Sequence, residues 1–217
     1  MSAPLHLSRV LVAVDFGDAS AAALALAGDL AKASGARLTV LHAETLEMPP
    51  YFTAAQIDRL EAERRDARDA AAEYVRRFAA AHAPVPVEAV VVDGPPTEAI
   101  LRLAPEFDLV VLGTHGRRGP RRWWLGSVAE EVVRSATVPV LITRMADPMP
   151  PHGEARRLTI AIAGEPTDAS GRWAELLREA LHATVVHATD VHGPQGSVHP
   201  ILFVPGGSAP PPDRRSS

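Results

Sequence analysis

The sequence contains no cysteine, so disulfides, thiolate metal sites and cysteine nucleophiles are all excluded, and a reducing compartment is compatible with it. Lysine is almost as scarce. Lys32 is the sole one, and it lies in a stretch of helical pattern, so no G-x-x-x-x-G-K-S/T loop can place a lysine on a phosphate. A G-x-G-x-x-G segment after the first apolar run is also missing. Basic charge is not in excess: the net charge is −4 and the pI about 6.1, which gives no global electrostatic basis for capturing nucleic acid or a membrane surface. Small ligands and protein partners stay open. There is no run of about 18 apolar residues, and Met1 to Arg9 lacks a basic stretch followed by an apolar segment. These absences make a cytoplasmic location the expectation.

What is present is an ordinary globular composition over 217 residues, 47% hydrophobic and 22% charged. That length suits one complete domain with an appendage. Val10-Leu-Val-Ala-Val14 is a short apolar run of the kind that forms a strand covered on both faces. An Ala/Leu-rich stretch to about Ser34 follows, with Asp18 or Ser20 as its cap and Gly35 at its left-handed end. Strands are predicted at Leu38–Ala43, Val87–Val92, Asp108–Leu112 and Val138–Thr143. Between them fall a long amphipathic helix over residues 53 to 82, a short helix from Thr97 to Leu103, and a helix from about Ser127 to Ser135. Five strands alternating with helices predict an α/β fold, a doubly wound parallel sheet with helices on both faces. If the order is 3-2-1-4-5, the ligand crevice lies between strands 1 and 4, with Asp15 and Gly113 at its mouth.

This unit spans residues 5 to 144, and a linker is expected over 145 to 156. Residues 157 to 205 then read as a degenerate partial repeat. Arg157 to Ile162 parallels Arg9 to Val14, Asp168-Ala-Ser170 matches Asp18-Ala-Ser20, Thr184 to Ala188 nearly duplicates Thr39 to Ala43, and Pro200 to Val204 resembles Pro139 to Ile142. The counterparts of the second to fourth helices and of the glycine loop are absent, so this copy should not bind nucleotide alone. The tail from Gly206 to Ser217, with three consecutive prolines, is expected to be disordered.

The chemistry concentrates in Gly113-Thr-His-Gly116, nine further residues, and Gly126-Ser127 at a helix start. Glycines let a backbone approach an anion closely, and a helix N-terminus offers unpaired amides and a dipole to negative charge. Turns alone also require glycine, so the pattern gains its meaning from the order strand, loop, helix. With no lysine to use, such a cradle must rely on amides, helix dipole and arginine.

The G-x-x-G-x9-G-S pattern, Val-Asp after strand 1, Leu-His-Ala in strand 2 and Val-Pro-Val-Leu in strand 5 together resemble the universal stress protein family, and within it the ATP-binding branch. The resemblance covers residues 5 to 144. It implies ATP as ligand, with Ala13, Val14 and Asp15 flanking it and Asp15 near the phosphates or their Mg²⁺. Ala43 would meet adenine through backbone groups. Leu112, Gly113, His115, Gly116 and Arg117 would surround ribose and phosphates, and Gly126, Ser127 and Val128 would supply the helix terminus. Family members often carry Thr where this chain has Ala129, which removes one hydroxyl. The resemblance also implies a homodimer through strand 5, an apolar sheet edge that invites pairing. The competing expectation is that Pro200 to Val204 covers that edge within one chain.

Other readings weigh less. Asp15 has an ordinary alternative as a turn carboxylate, and His115 as a surface imidazole. Among Arg117, Arg118, Arg121 and Arg122 only Arg117 is expected near phosphate, and Trp123-Trp124 suits packing and a subunit contact better than base stacking. His182, His187, Asp190, His192 and His199 lack a helix-spaced metal-ligand pair. The leading functional expectation is a nucleotide-dependent regulatory module. The alternatives are a slow ATPase or nucleotidyl-transfer enzyme using the same site, and a scaffold without nucleotide whose C-terminal remnant fills the crevice.

Overall fold

A computed structural model describes residues 6–44, 54–114, 125–144, 158–164, 166–188 and 200–205, with 54–64, 144 and 188 through the backbone alone. The elements run β1 (Arg9–Ala13), α1 (Asp18–Ser34), β2 (Arg37–Glu44), α2 (Ala54–His82), β3 (Val87–Asp93), α3 (Pro96–Leu103), β4 (Leu109–Thr114), α4 (Ser127–Ser135) and β5 (Val140–Arg144). They continue with β6 (Thr159–Ala163), α5 (Asp168–Leu181), β7 (Thr184–Ala188) and β8 (Ile201–Phe203).

Among the described residues eight strands join one sheet in the order β3-β2-β1-β4-β5-β8-β6-β7. The first five take the expected 3-2-1-4-5 order in parallel, with β1 between β2 and β4. Strand 5 is not an edge, however. β8 pairs antiparallel along its outer side, Val140 opposite Phe203, Leu141 opposite Leu202 and Ile142 opposite Ile201. Of the two expectations for that edge, the within-chain cover is the one the fold adopts. A dimer through strand 5 would need a side of the strand whose hydrogen-bonding groups are already paired.

Side-chain alternation explains the two layers. Val10, Val12 and Val14 point to the face covered by α1, while Leu11 points to the face of α3 and α4, joining Ile100, Val110 and Val132. Burial on both sides is why β1 reads as a continuous apolar run. α1 lies against the sheet and also touches α2 and α5, so it is buried almost all round rather than along one stripe. Alanines fill much of its surface and let these neighbours close in, while Leu24, Leu26 and Leu30 are wholly buried, each stabilising the fold by about 1.5–3 kcal/mol.

The structure corrects two local expectations. Gly35 does close α1 in a left-handed conformation, φ 72°, but the N-cap is Gly17, and neither Asp18 nor Ser20 caps through its side chain. Strand 4 also runs on to Thr114, with Gly113 opposite Thr143, so Gly113 belongs to the sheet and not to the loop. Among the described residues, no helix is long and apolar enough to cross a membrane.

Candidate functional site

The carboxyl ends of β1 and β4 meet at the point where the sheet reverses its winding, with Ala13 opposite Leu112. Beyond Ala13 the chain stays tied to β2. The Val14 amide donates to the Leu41 carbonyl at 2.9 Å, and the Val14 carbonyl lies 2.9 Å from Nδ1 of His42, whose Nε2 lies 2.9 Å from a Glu44 carboxylate oxygen. Ala43 sits half-buried one residue further along β2.

Asp15 then turns the chain into α1. Its Oδ1 accepts the Gly17 amide at 3.0 Å and the Ser20 hydroxyl at 2.7 Å, so the carboxylate organises the approach to the helix. The next residue, Phe16, takes φ 62°, a left-handed conformation that costs a non-glycine residue about 1–2 kcal/mol. Ring packing accompanies it: Phe16 lies 4.4 Å from the His42 ring, 4.6 Å from Tyr74 and 5.4 Å from Phe78. The aromatic cluster therefore fixes the backbone immediately after Asp15.

Gly113 is a glycine for a reason that concerns packing. A Cβ there would stand 2.2 Å from the Ala19 carbonyl oxygen and 2.6 Å from the Ser20 amide nitrogen, so the first turn of α1 occupies its side-chain position. Gly126 differs. Its φ of −60° suits any residue, and among the described residues the nearest atom to an added Cβ is Thr114 Oγ1 at 3.6 Å, an ordinary contact. The Gly126 amide donates to that same hydroxyl at 3.1 Å, which latches the start of α4 onto the end of β4. Among the described residues no side chain caps α4, so its first-turn amides, at Ser127 and Val128, carry the positive end of the helix dipole at the end of β4. Asp15, Ser20, Gly113, Thr114 and Gly126 thus form one chain of contacts across the two strand ends.

Of the residues expected at the site, Ala13, Val14, Asp15, Leu112, Gly113, Gly126, Ser127 and Val128 are gathered at this end of the sheet. Ala43 lies one strand away. His115, Gly116 and Arg117 lie outside the described residues, as do the other loop arginines, Trp123, Trp124, the linker from 145 to 156 and the tail from Gly206. Ala129 is buried in the apolar cluster with Val132. Sequence reasoning missed Thr114 and Phe16, and gave Ser20 the wrong task. A buried threonine ending a strand is a signal in principle, because its hydroxyl must find a partner. Among the described residues no group of three His, Cys, Asp or Glu is placed to hold a metal. His182 ends α5 in a left-handed conformation and His187 is exposed on β7, while Asp190, His192 and His199 fall outside the described residues.

Comparison with known proteins matches residues 6–144 to the family model described as the universal stress protein family. A universal stress protein of Mycobacterium tuberculosis is 34% identical over 148 residues, which is 66% of this chain and 47% of that protein, so the match spans about half its length. One from Thermus aquaticus is 39% identical over 143 residues, 62% of this chain and 97% of its own. A universal stress protein structure from Archaeoglobus fulgidus, 19% identical, shares the fold over 84% of this chain and 67% of its own with a TM-score of 0.54. The family match lies on the stretch that builds β1 to β5 and the site between β1 and β4. This chain belongs to the universal stress protein family.

Proposed function

We propose that the chain is a nucleotide-dependent regulatory module of the ATP-binding branch, taking ATP with Mg²⁺ at the ends of β1 and β4. The observation that carries this reading is Gly126. The described chain itself makes no demand for glycine there, yet the residue opens a helix that no described side chain caps, latched to the end of β4. An anion drawn against those amides is a physical reason for a glycine at this place. Such a fit assigns the phosphates to the Ser127 and Val128 amides and the Ser127 hydroxyl. Asp15 faces the metal that accompanies them, and Ala13, Val14, Ala43 and Leu112 line the nucleoside. His115, Gly116 and Arg117 complete the set on the loop. Mg²⁺ supplies charge neutralisation of the polyphosphate.

A binding role suits Asp15 better than a catalytic one, since its Oδ1 is committed to Gly17 and Ser20 and so serves as a fixed acceptor. The slow ATPase or nucleotidyl-transfer reading uses the same residues. The scaffold reading draws no support from the described C-terminal strands, which lie beyond β5 rather than across the β1/β4 crevice.

Thermal unfolding with and without Mg-ATP tests the proposal. At a ligand concentration 100 times Kd the folded state gains about 2.7 kcal/mol. For a chain of this size that raises Tm by about 5–11 °C. Gly126→Val should keep the ligand-free Tm within a few degrees and lose the increase, while an increase equal to wild type would remove ATP from this site. ATP hydrolysis that disappears in Gly126→Val would favour the enzyme reading.

A further inference from the structure

The C-terminal elements mirror the first unit in their hydrogen bonding as well as in sequence. Leu11 stands opposite Thr39 and Val12 opposite Val40 in the β1/β2 pair, and their sequence counterparts Thr159 and Thr184, then Ile160 and Val185, stand opposite one another in the β6/β7 pair. Phe16 and Gly164 hold the same place after their strands and both are left-handed, φ 62° and 94°. α1 and α5 begin with the same Asp-Ala-Ser and pack on each other. In β5, the Pro139 carbonyl accepts the Val110 amide from β4; in β8, the Pro200 carbonyl accepts the Ala161 amide from β6, both at 3.0 Å. β8 is therefore the second copy's strand 5. It rests directly on β6, the second copy's strand 1, because nothing equivalent to β4 intervenes.

The antiparallel register of β5 with β8 carries the consequence. Aligning Pro139 with Pro200 makes Val140 the counterpart of Ile201, Leu141 of Leu202 and Ile142 of Phe203. The observed pairs are Val140 with Phe203, Leu141 with Leu202 and Ile142 with Ile201. Exchanging the copies maps these pairs onto themselves, so a pseudo-twofold axis passes between Leu141 and Leu202. That is the self-complementary geometry of an isologous contact between identical subunits, realised here inside one chain.

We propose that the C-terminal repeat is a built-in second subunit: β8 takes the place on β5 that strand 5 of another copy would take, and the chain stands alone instead of pairing through that edge. The repeat has lost the elements of the crevice and kept those needed to complete the sheet, namely strands 1, 2 and 5 and the first helix. Its task is to satisfy the amides and carbonyls on the outer side of β5, which would otherwise be an apolar edge open to association.

The absence of cysteine makes the test direct. The single variant Leu141→Cys and the double variant Leu141→Cys/Leu202→Cys are oxidised as full chains and read by non-reducing electrophoresis and intact mass, with light scattering on the unmodified protein. The expected results are a disulfide within one chain for the double variant, no covalent dimer for the single variant, and a monomer mass of 23.1 kDa for the parent. The double variant serves as the control that a cysteine at 141 is folded and reactive. A covalent dimer of Leu141→Cys would show position 141 facing itself across two copies and overturn the proposal. An interchain disulfide in the double variant would overturn it equally, by making β8 the strand of a neighbour.

Discussion

Two glycines of the family pattern should respond to the same substitution in opposite ways. At Gly113 the added methyl of alanine would sit 2.2 Å from a carbonyl oxygen and 2.3 Å from the carbonyl carbon of Ala19, and backbone in a buried helix cannot swing aside as a side-chain tip can. Either β4 or the first turn of α1 must shift. Overpacking of this kind costs about 1–3 kcal/mol, and a clash with backbone belongs at the upper end. For a chain of this size that is a Tm lower by about 6–12 °C. At Gly126, among the described residues, the methyl meets only Thr114 Oγ1 at 3.6 Å. Alanine is a poorer N-cap than glycine, but it also narrows the unfolded ensemble, so the two contributions offset and stability should stay within about 1 kcal/mol of wild type. Urea denaturation of Gly113→Ala and Gly126→Ala, followed by ATP titration of both, separates packing from ligand approach. Gly113→Ala should be destabilised, and Gly126→Ala should be stable but bind ATP at least about tenfold more weakly, a loss of about 1.4 kcal/mol. A Gly113→Ala protein as stable as wild type would refute the packing explanation, and a Gly126→Ala protein with unchanged affinity would refute the anion-approach explanation.

Asp15→Asn retains an oxygen acceptor for the Gly17 amide and the Ser20 hydroxyl and should unfold near the wild-type urea midpoint, whereas Asp15→Ala loses both bonds and should cost about 1–2 kcal/mol. Asn should also weaken the Mg²⁺ dependence of ATP binding; equal Mg²⁺ dependence in Asn and wild type would take Asp15 out of the site. At Phe16 the usual order of alanine and glycine should reverse. Both variants lose the ring contacts to His42, Tyr74 and Phe78, but only alanine keeps the left-handed penalty, so Phe16→Gly should be about 1 kcal/mol more stable than Phe16→Ala. Alanine equal to or more stable than glycine in denaturant would show that the strain is not there.

Much of this architecture is written in local pattern. β1, β2, β4 and β5 appear as apolar runs of strand length because each is buried on both faces, while the edge strand β3 is only half-buried, and Gly35 marks the end of α1 because only glycine takes its φ without cost. The eight-strand sheet was less legible. Whether Pro200 to Val204 meets its own β5 or leaves that edge to another chain depends on pairing across about sixty residues, which no local periodicity encodes. At the candidate site, the pattern singled out Gly113 and Gly126 but could not separate their reasons. Gly113 and Gly126 look alike as letters, and only the position of Ala19 and Ser20 in space shows that one is demanded by a helix and the other is not. Ser20 was legible as a polar residue at a helix start, yet its hydroxyl serves Asp15 instead of an α1 amide because Gly17 begins the helix one residue before Asp18.

The most direct measurement is isothermal titration of the full chain with Mg-ATP, run beside Gly126→Val. The expected result is one binding site per chain for the wild-type protein and no detectable binding for the variant at the same concentrations, with matching circular dichroism for the two. Heat of binding unchanged in Gly126→Val, or two sites per chain, would contradict a single nucleotide cradle at the ends of β1 and β4.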